Sequence, residues 1–157
     1  MSITRHRLMA ILIGLLGAHP AYAQNHESNP LAAVTALRCV FSVYGVGRWQ
    51  GGEPQVQTKT GVLTIRFDSV DALGGAARSI GRLGFSDITA RLVTGSLHLM
   101  YISNTGALEV TTVFSQETRD GKFKAVHAIH DYLPVAIPGF AAEPEVSQHY
   151  GECESDK

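Results

Sequence analysis

The segment KAVHAIHD, residues 124–131, carries His127 and His130 three positions apart, and a third imidazole, His149, follows in SQHYGEC. Imidazoles in such numbers suit two kinds of chemistry, holding a transition metal or moving a proton near neutral pH. The backbone decides between them. On a helix, side chains three apart share a face and can grip one ion; on a strand they point to opposite faces. Phe123, Ala125, His127 and Ile129 alternate with Lys124, Val126, Ala128 and His130, and Asp120-Gly121 stands where a hairpin turn would. The segment therefore reads as a strand, with His127 toward the apolar side and His130 toward the polar one. The H-x-x-H spacing then makes no chelate.

A narrower site survives. His127 inside the fold can meet His149 or Tyr150 from the last strand, or Tyr101 from another, and such a group could orient a ligand or move a proton. The plainer alternative is a core histidine satisfied by a backbone carbonyl or a tyrosine. Trp49, beside Gln50-Gly51-Gly52 in a polar connection, is placed at the mouth of the fold, as a ligand contact or a plug. Trp49, Tyr101, His127, His149 and Tyr150 form the candidate ligand-binding set. A metal site from His98, His130, Asp131 and His149 has no spacing to define it, so no metal or cofactor is expected. Neither a G-x-S-x-G elbow nor an H-E-x-x-H pair occurs, and the expectation is a protein that is not an enzyme.

The elements that must position these residues are strands. VLTIRFD sets Leu63, Ile65 and Phe67 against Thr64, Arg66 and Asp68, the alternation of a half-buried strand. SLHLMYIS puts Leu97, Leu99 and Tyr101 on one face. ALEVTTVFS is read with Leu108, Val110, Thr112 and Phe114 inward. With LRCVFSVYG, GGAARSIG, DITARLV, KFKAVHAIH and VSQHYGEC the count is eight, separated by Thr94-Gly95, Asn104-Thr105-Gly106 and Asp120-Gly121 turns. RWQGGEPQVQTKTG reads as a polar connection with a ragged edge strand at most. LPVAIPGFAAEPE, with three prolines, reads as a long loop or edge excursion.

Residues 1–23 have the form of a secretory signal peptide. Arg5 and Arg7 precede an apolar run of ten residues, and Ala21-Tyr22-Ala23 resembles a signal-peptidase site. The run is shorter than the roughly 20 apolar residues of a membrane helix. Residues 24–36 are assigned to a flexible N-terminal tail and 37–157 to one β-barrel domain. Without Arg5 and Arg7 the mature chain keeps eleven Lys and Arg against fourteen Asp and Glu, scattered singly. That distribution argues against nucleic acid as a partner. In a periplasmic or extracellular setting, Cys39 and Cys153 are expected to pair, stapling the two ends of the domain.

At SQHYGEC, taken with AVHAIH and LRCVFS, the chain resembles a group of small exported bacterial proteins of unknown function. Their features are a cysteine in the first strand, a G-x-L-H-F/L-like strand, an AVHSRH-like strand and a closing SQ-x-Y-G-x-C. This chain has Ala-Ile where that pattern has Ser-Arg. The count of eight strands is also similar to a lipocalin-type barrel, although Gly47-Arg48-Trp49 follows the first strand where the lipocalin G-x-W leads into it. The resemblance implies export and a compact fold, with no activity attached. The expected architecture is all-β: an antiparallel meander barrel of about eight strands closed by a disulfide, with a two-sheet sandwich as the alternative. The expected role is binding a small apolar ligand or an envelope partner inside or on that barrel. The alternatives are a filled-barrel structural or interaction module of the envelope and, third, a histidine-dependent enzyme.

Overall fold

The structure, a computed structural model, describes residues 29–81, 84–132 and 143–156. The signal segment, Phe140 and most of the proline-rich stretch lie outside the described residues. Eight strands follow one another as an antiparallel meander and close into a barrel, β1 pairing with β8. They are β1 (Leu37–Gln50), β2 (Glu53–Asp71), β3 (Ala76–Gly81), β4 (Gly84–Val93), β5 (Ser96–Ile102), β6 (Leu108–Glu117), β7 (Phe123–Asp131) and β8 (Glu145–Ser155). Closure leaves no sheet edge wherever the ring is complete, which favours the barrel over the sandwich. No helix among the described residues is long and apolar enough to cross a membrane.

The interior is layered along the barrel axis, and the layers follow from the register. Near one end, Cys39 stands opposite Cys153 and the two are bonded. The next layer runs Leu63–Phe41–Gly151–Ala125–Val113–Leu97 across six strands. Phe41 and Val113 are fully buried. Gly151 belongs in that layer for a steric reason. A Cβ there would collide with the Val40 carbonyl oxygen and stand 2.7 Å from Phe41 Cα, so β1 and β8 can approach this closely only at glycine.

A short 3-10 helix, Pro30–Ala33, closes this end. The Asn29 side chain caps it, accepting from the Leu31 amide at 3.0 Å and donating to the Thr94 carbonyl at 2.6 Å. Leu31 is fully buried and Val34 nearly so. Thus residues 29–36, expected to trail as part of a tail, are packed against the barrel. Proline and small polar residues masked a local cap whose single leucine carries the burial.

Two further differences from the sequence reading bear on function. The polar connection after Trp49 is instead the tip of a long hairpin. Gly51 and Gly52, at φ 60° and 87°, make the two-residue turn, and the strands on either side are 14 and 19 residues long. Gly-Gly was the turn signal, but the absence of apolar alternation in QVQTKT hid the strand. The other difference is the phase of β6. Glu109, Thr111 and Val113 face inward, while Leu108, Val110, Thr112 and Phe114 take the other face. Both faces of β6 carry apolar residues, so periodicity gave the strand but not its facing, which its neighbours' register sets.

The outer face at the closed end is charged. Arg38 pairs with Glu154 at 3.2 Å, Arg66 with Asp156 at 2.6 Å, Arg78 with Asp68 at 2.7 Å and Lys122 with Glu152 at 2.8 Å. At this end the interior is apolar and the exterior charged.

Candidate functional site

Above the apolar layers the interior turns polar. The next layer runs Lys59–Tyr44–His149–His127–Thr111–Leu99–Ala90 around seven strands. Above it lie Gln57–Val46–Ser147–Ile129–Glu109–Tyr101, and then Gln55–Arg48–Glu145–Asp131. Tyr44 enters this layer because the register of β1 breaks between Phe41 and Val43 against both neighbours. Strict alternation from Cys39 would have turned Tyr44 outward. The bulge therefore aims its ring inward, as bulges near functional residues often do.

His127 is 3% exposed and its Nδ1 lies 2.9 Å from Thr111 Oγ1. Its ring packs 5.7 Å from Phe41 and 5.9 Å from His149. Burial, helped by the neighbouring His149 ring, lowers its pKa to about 4, so it is uncharged at neutral pH. His149 stacks on Tyr44 with ring centroids 4.7 Å apart and planes 11° from parallel, and its Nε2 sits 3.3 Å from Ser147 Oγ. Burial lowers its pKa as well. Glu109 shifts the opposite way in charge terms. Burial, and then the carboxylate of Asp131, push its pKa up. Both kinds of shift favour the neutral form, as expected for polar groups held in a half-dry interior.

His127, Glu109, Tyr101, Thr111 and Ser79 share one cavity of about 20 Å³ with Ile65, Phe67, Ile88 and Leu99. Perturbed acid and base groups around one space are a recognised pointer to catalysis. A volume of that size holds about one water molecule. Every buried polar side-chain atom among the described residues has a partner or reaches solvent.

Of the five expected ligand contacts, the structure brings His127 and His149 side by side and sets Tyr101 on the same cavity as His127. It separates the other two. Tyr150 points outward, 50% exposed, and donates to Gln148 Oε1 at 3.0 Å; as the neighbour of inward His149 on a strand it must take the opposite face. Trp49 is paired with Pro54 near the hairpin tip, 41% exposed, far along β1 from the histidine layer. The remaining metal-type residues disperse: His98 bonds Thr112 at 3.1 Å, His130 is exposed, and Asp131 sits in the uppermost layer. Among the described residues no group of three or more His, Cys, Asp or Glu is arranged to hold a metal ion. Tyr44, Glu109 and Thr111 were missed, the first through the β1 bulge and the others through the phase of β6.

Toward the upper end the long β1–β2 hairpin forms a blade, with β8 and then β7 paired alongside its base. Arg48 pairs with Glu145 on its inner face. Its outer face bears a groove of about 400 Å³ lined by Val43, Gly45, Gly47, Val56, Val146 and Tyr150, among others. Val56 is 77% exposed and Val62 80%. Compared with protein-family models, with curated proteins and with solved structures, the chain matches none.

Proposed function

We propose that this protein is an exported, non-enzymatic β-barrel module of the cell envelope that works through an exposed surface rather than by enclosing a ligand. The observation that carries this reading is the contrast in filling. Phe41, Leu97, Val113 and the Cys39–Cys153 bridge occupy the barrel interior, and the cavity that reaches His127 has room for about one water. An eight-stranded barrel either fills with side chains or just holds one ligand; these side chains support the first. An apolar ligand inside the barrel is the weaker expectation, since the layers above Phe41 present Tyr44, His149, Glu109 and Ser147.

Export is supported by the signal-like form of residues 1–23 and by the disulfide, which fits an oxidising compartment. The hairpin blade, with Trp49, Val56, Val62 and Tyr150 exposed, supplies the surface. A second reading has one observation behind it. The stacked Tyr44–His149 pair forms a half-exposed polar floor beneath the mouth, beside Lys59, on which a small polar molecule could rest. Native mass spectrometry of the mature protein taken from its own envelope compartment separates the two. A bare polypeptide mass is expected, and a retained small molecule would overturn the surface reading in favour of a carrier.

A further inference from the structure

We infer that the unpaired edge of β2 binds the same edge of a second copy of this chain, antiparallel and centred on Val56. The inference rests on the surface reading above and names the partner for it. Among the described residues, β2 pairs with β3 only from Arg66 onward. From 53 to 62 no described residue pairs with its other side, and every residue of that stretch is exposed. A row of free backbone donors and acceptors is a template for another strand.

The side on which those groups lie follows from the turn. In a two-residue hairpin closed at Gln50 and Glu53, these two exchange the first hydrogen bonds. Odd-numbered residues of β2 in this stretch therefore direct their amides to β1, and Val56, Thr58 and Thr60 direct theirs to the free edge, where Pro54 offers only its carbonyl. Pro54 stands where no amide is called upon by β1, which is why a proline is tolerated within a paired strand.

A two-fold contact must be self-complementary. Centring it on Val56 sets Val56 against Val56, Thr58 against Pro54, Gln55 against Gln57 and Glu53 against Lys59, each of the last three pairs occurring twice. Val56 covers its own 77% exposed side chain, on the face that carries the apolar groove. Glu53 and Lys59 are the only formal charges between residues 53 and 65, and this register places them opposite one another. Pro54 and Lys59 are residue types that normally blunt an edge. Opposite Glu53, Lys59 ceases to repel, and Pro54 still offers its carbonyl to the Thr58 amide of the other copy.

The test is sedimentation of the mature full chain over a concentration series reaching about 1 mM, the weak end of specific association. A monomer–dimer equilibrium is expected. Lys59→Glu and Glu53→Lys should each weaken it by about tenfold, because two cross-strand pairs become like-charged, and the double exchange Glu53→Lys/Lys59→Glu should restore it. Thr58→Pro should abolish it while leaving the thermal midpoint of the monomer in place, since no described residue accepts from that amide. A strictly monomeric protein, or a dimer indifferent to Thr58→Pro and unrescued by the double exchange, would overturn the inference. If Thr58→Pro unfolds, the charge exchange still decides. A monomer of bare mass refutes the dimer alone, whereas a retained small molecule refutes the surface reading whatever the assembly.

Discussion

The closed half of the barrel and the blade that rises from it share β1, β2 and β8, yet those strands follow opposite rules in each. Below the β1 bulge, β1, β2 and β8 send Leu37, Cys39, Phe41, Leu63, Ile65 and Cys153 into one continuous core. Above it the same strands present Gln55, Gln57, Lys59, Arg48 and Glu145 on one face and Val43, Val56 and Tyr150 on the other, and there only Val46 and Ser147 are buried among their described residues. A strand that leaves its core keeps its backbone pairing but loses the apolar burial that ordinarily stabilises a sheet. Apolar burial is therefore concentrated in the lower half, and the hairpin tip relies chiefly on backbone pairing. Substitutions should sort by half, and the first two predictions concern the lower one.

The largest effect should come from the Cys39–Cys153 bridge. It joins positions 114 residues apart, directly opposite one another on β1 and β8 at the seam that closes the ring. Loop-closure entropy for such a span predicts about 4–5 kcal/mol, a large share of the roughly 5–15 kcal/mol typical of a domain. Urea unfolding of the reduced and oxidised proteins should differ by that much. Equal midpoints would show that the seam holds without its staple. Phe41→Ala should follow, at about 3–5 kcal/mol, because the ring fills the layer that Gly151 leaves open and no side chain nearby can close the gap. A loss below 1 kcal/mol in the same assay would mean the core has collapsed around the hole.

The histidine layer marks the boundary between the halves and supplies the next effect. His127 is held uncharged in the fold, its pKa lowered to about 4, while the unfolded chain protonates it near 6.5. Between these values the unfolded state binds the additional proton, so stability is full above pH 6.5 and falls as the pH drops toward 4. The loss attributable to this residue is on the order of 3 kcal/mol. His149, lowered by burial, acts in the same sense. Glu109 opposes both: its raised pKa lets the folded state take up a proton first, which adds stability as the pH falls. Urea titrations across this range should therefore show a decline that His127→Leu flattens. A wild-type curve already flat from pH 6.5 to 4 would mean the layer is wetter than its geometry indicates.

What the sequence disclosed divides along the same boundary. Leu63, Ile65 and Phe67 alternate against polar neighbours, and they face the core as periodicity indicates, as do Leu97, Leu99, Ala125 and His127. The facing of His127 away from His130 was legible for that reason. Where burial fades the signal fades with it: QVQTKT carries no apolar alternation, so nineteen residues of β2 were read partly as connection. Periodicity also fails where both faces are apolar, as in β6, and where a bulge resets the count, as between Phe41 and Val43. Tyr44, Glu109 and Thr111 were lost at those two places. A polar residue's inward facing is fixed by its neighbours' register, which a single strand's pattern does not contain.

The smallest effects should fall on the blade, and they sharpen the comparison most. Val56→Ser and Trp49→Ala remove large apolar side chains, changes that cost several kcal/mol inside a core. Both side chains are substantially exposed, and each belongs to the part of the hairpin that packs against nothing but its partner strand. Surface substitutions of that kind generally stay within about 0.5 kcal/mol. Urea unfolding at low protein concentration, where any association is dissociated, should therefore place both variants on the wild-type curve. A loss of 2 kcal/mol or more from either would mean that the blade folds back onto a surface and belongs to the core after all. Apolar groups that contribute so little to the monomer are nonetheless exposed beside a free strand edge, where they carry a standing risk of non-specific association. That risk is contained if the edge is covered by a specific contact, and in that event the same substitutions, silent in unfolding, become visible in assembly.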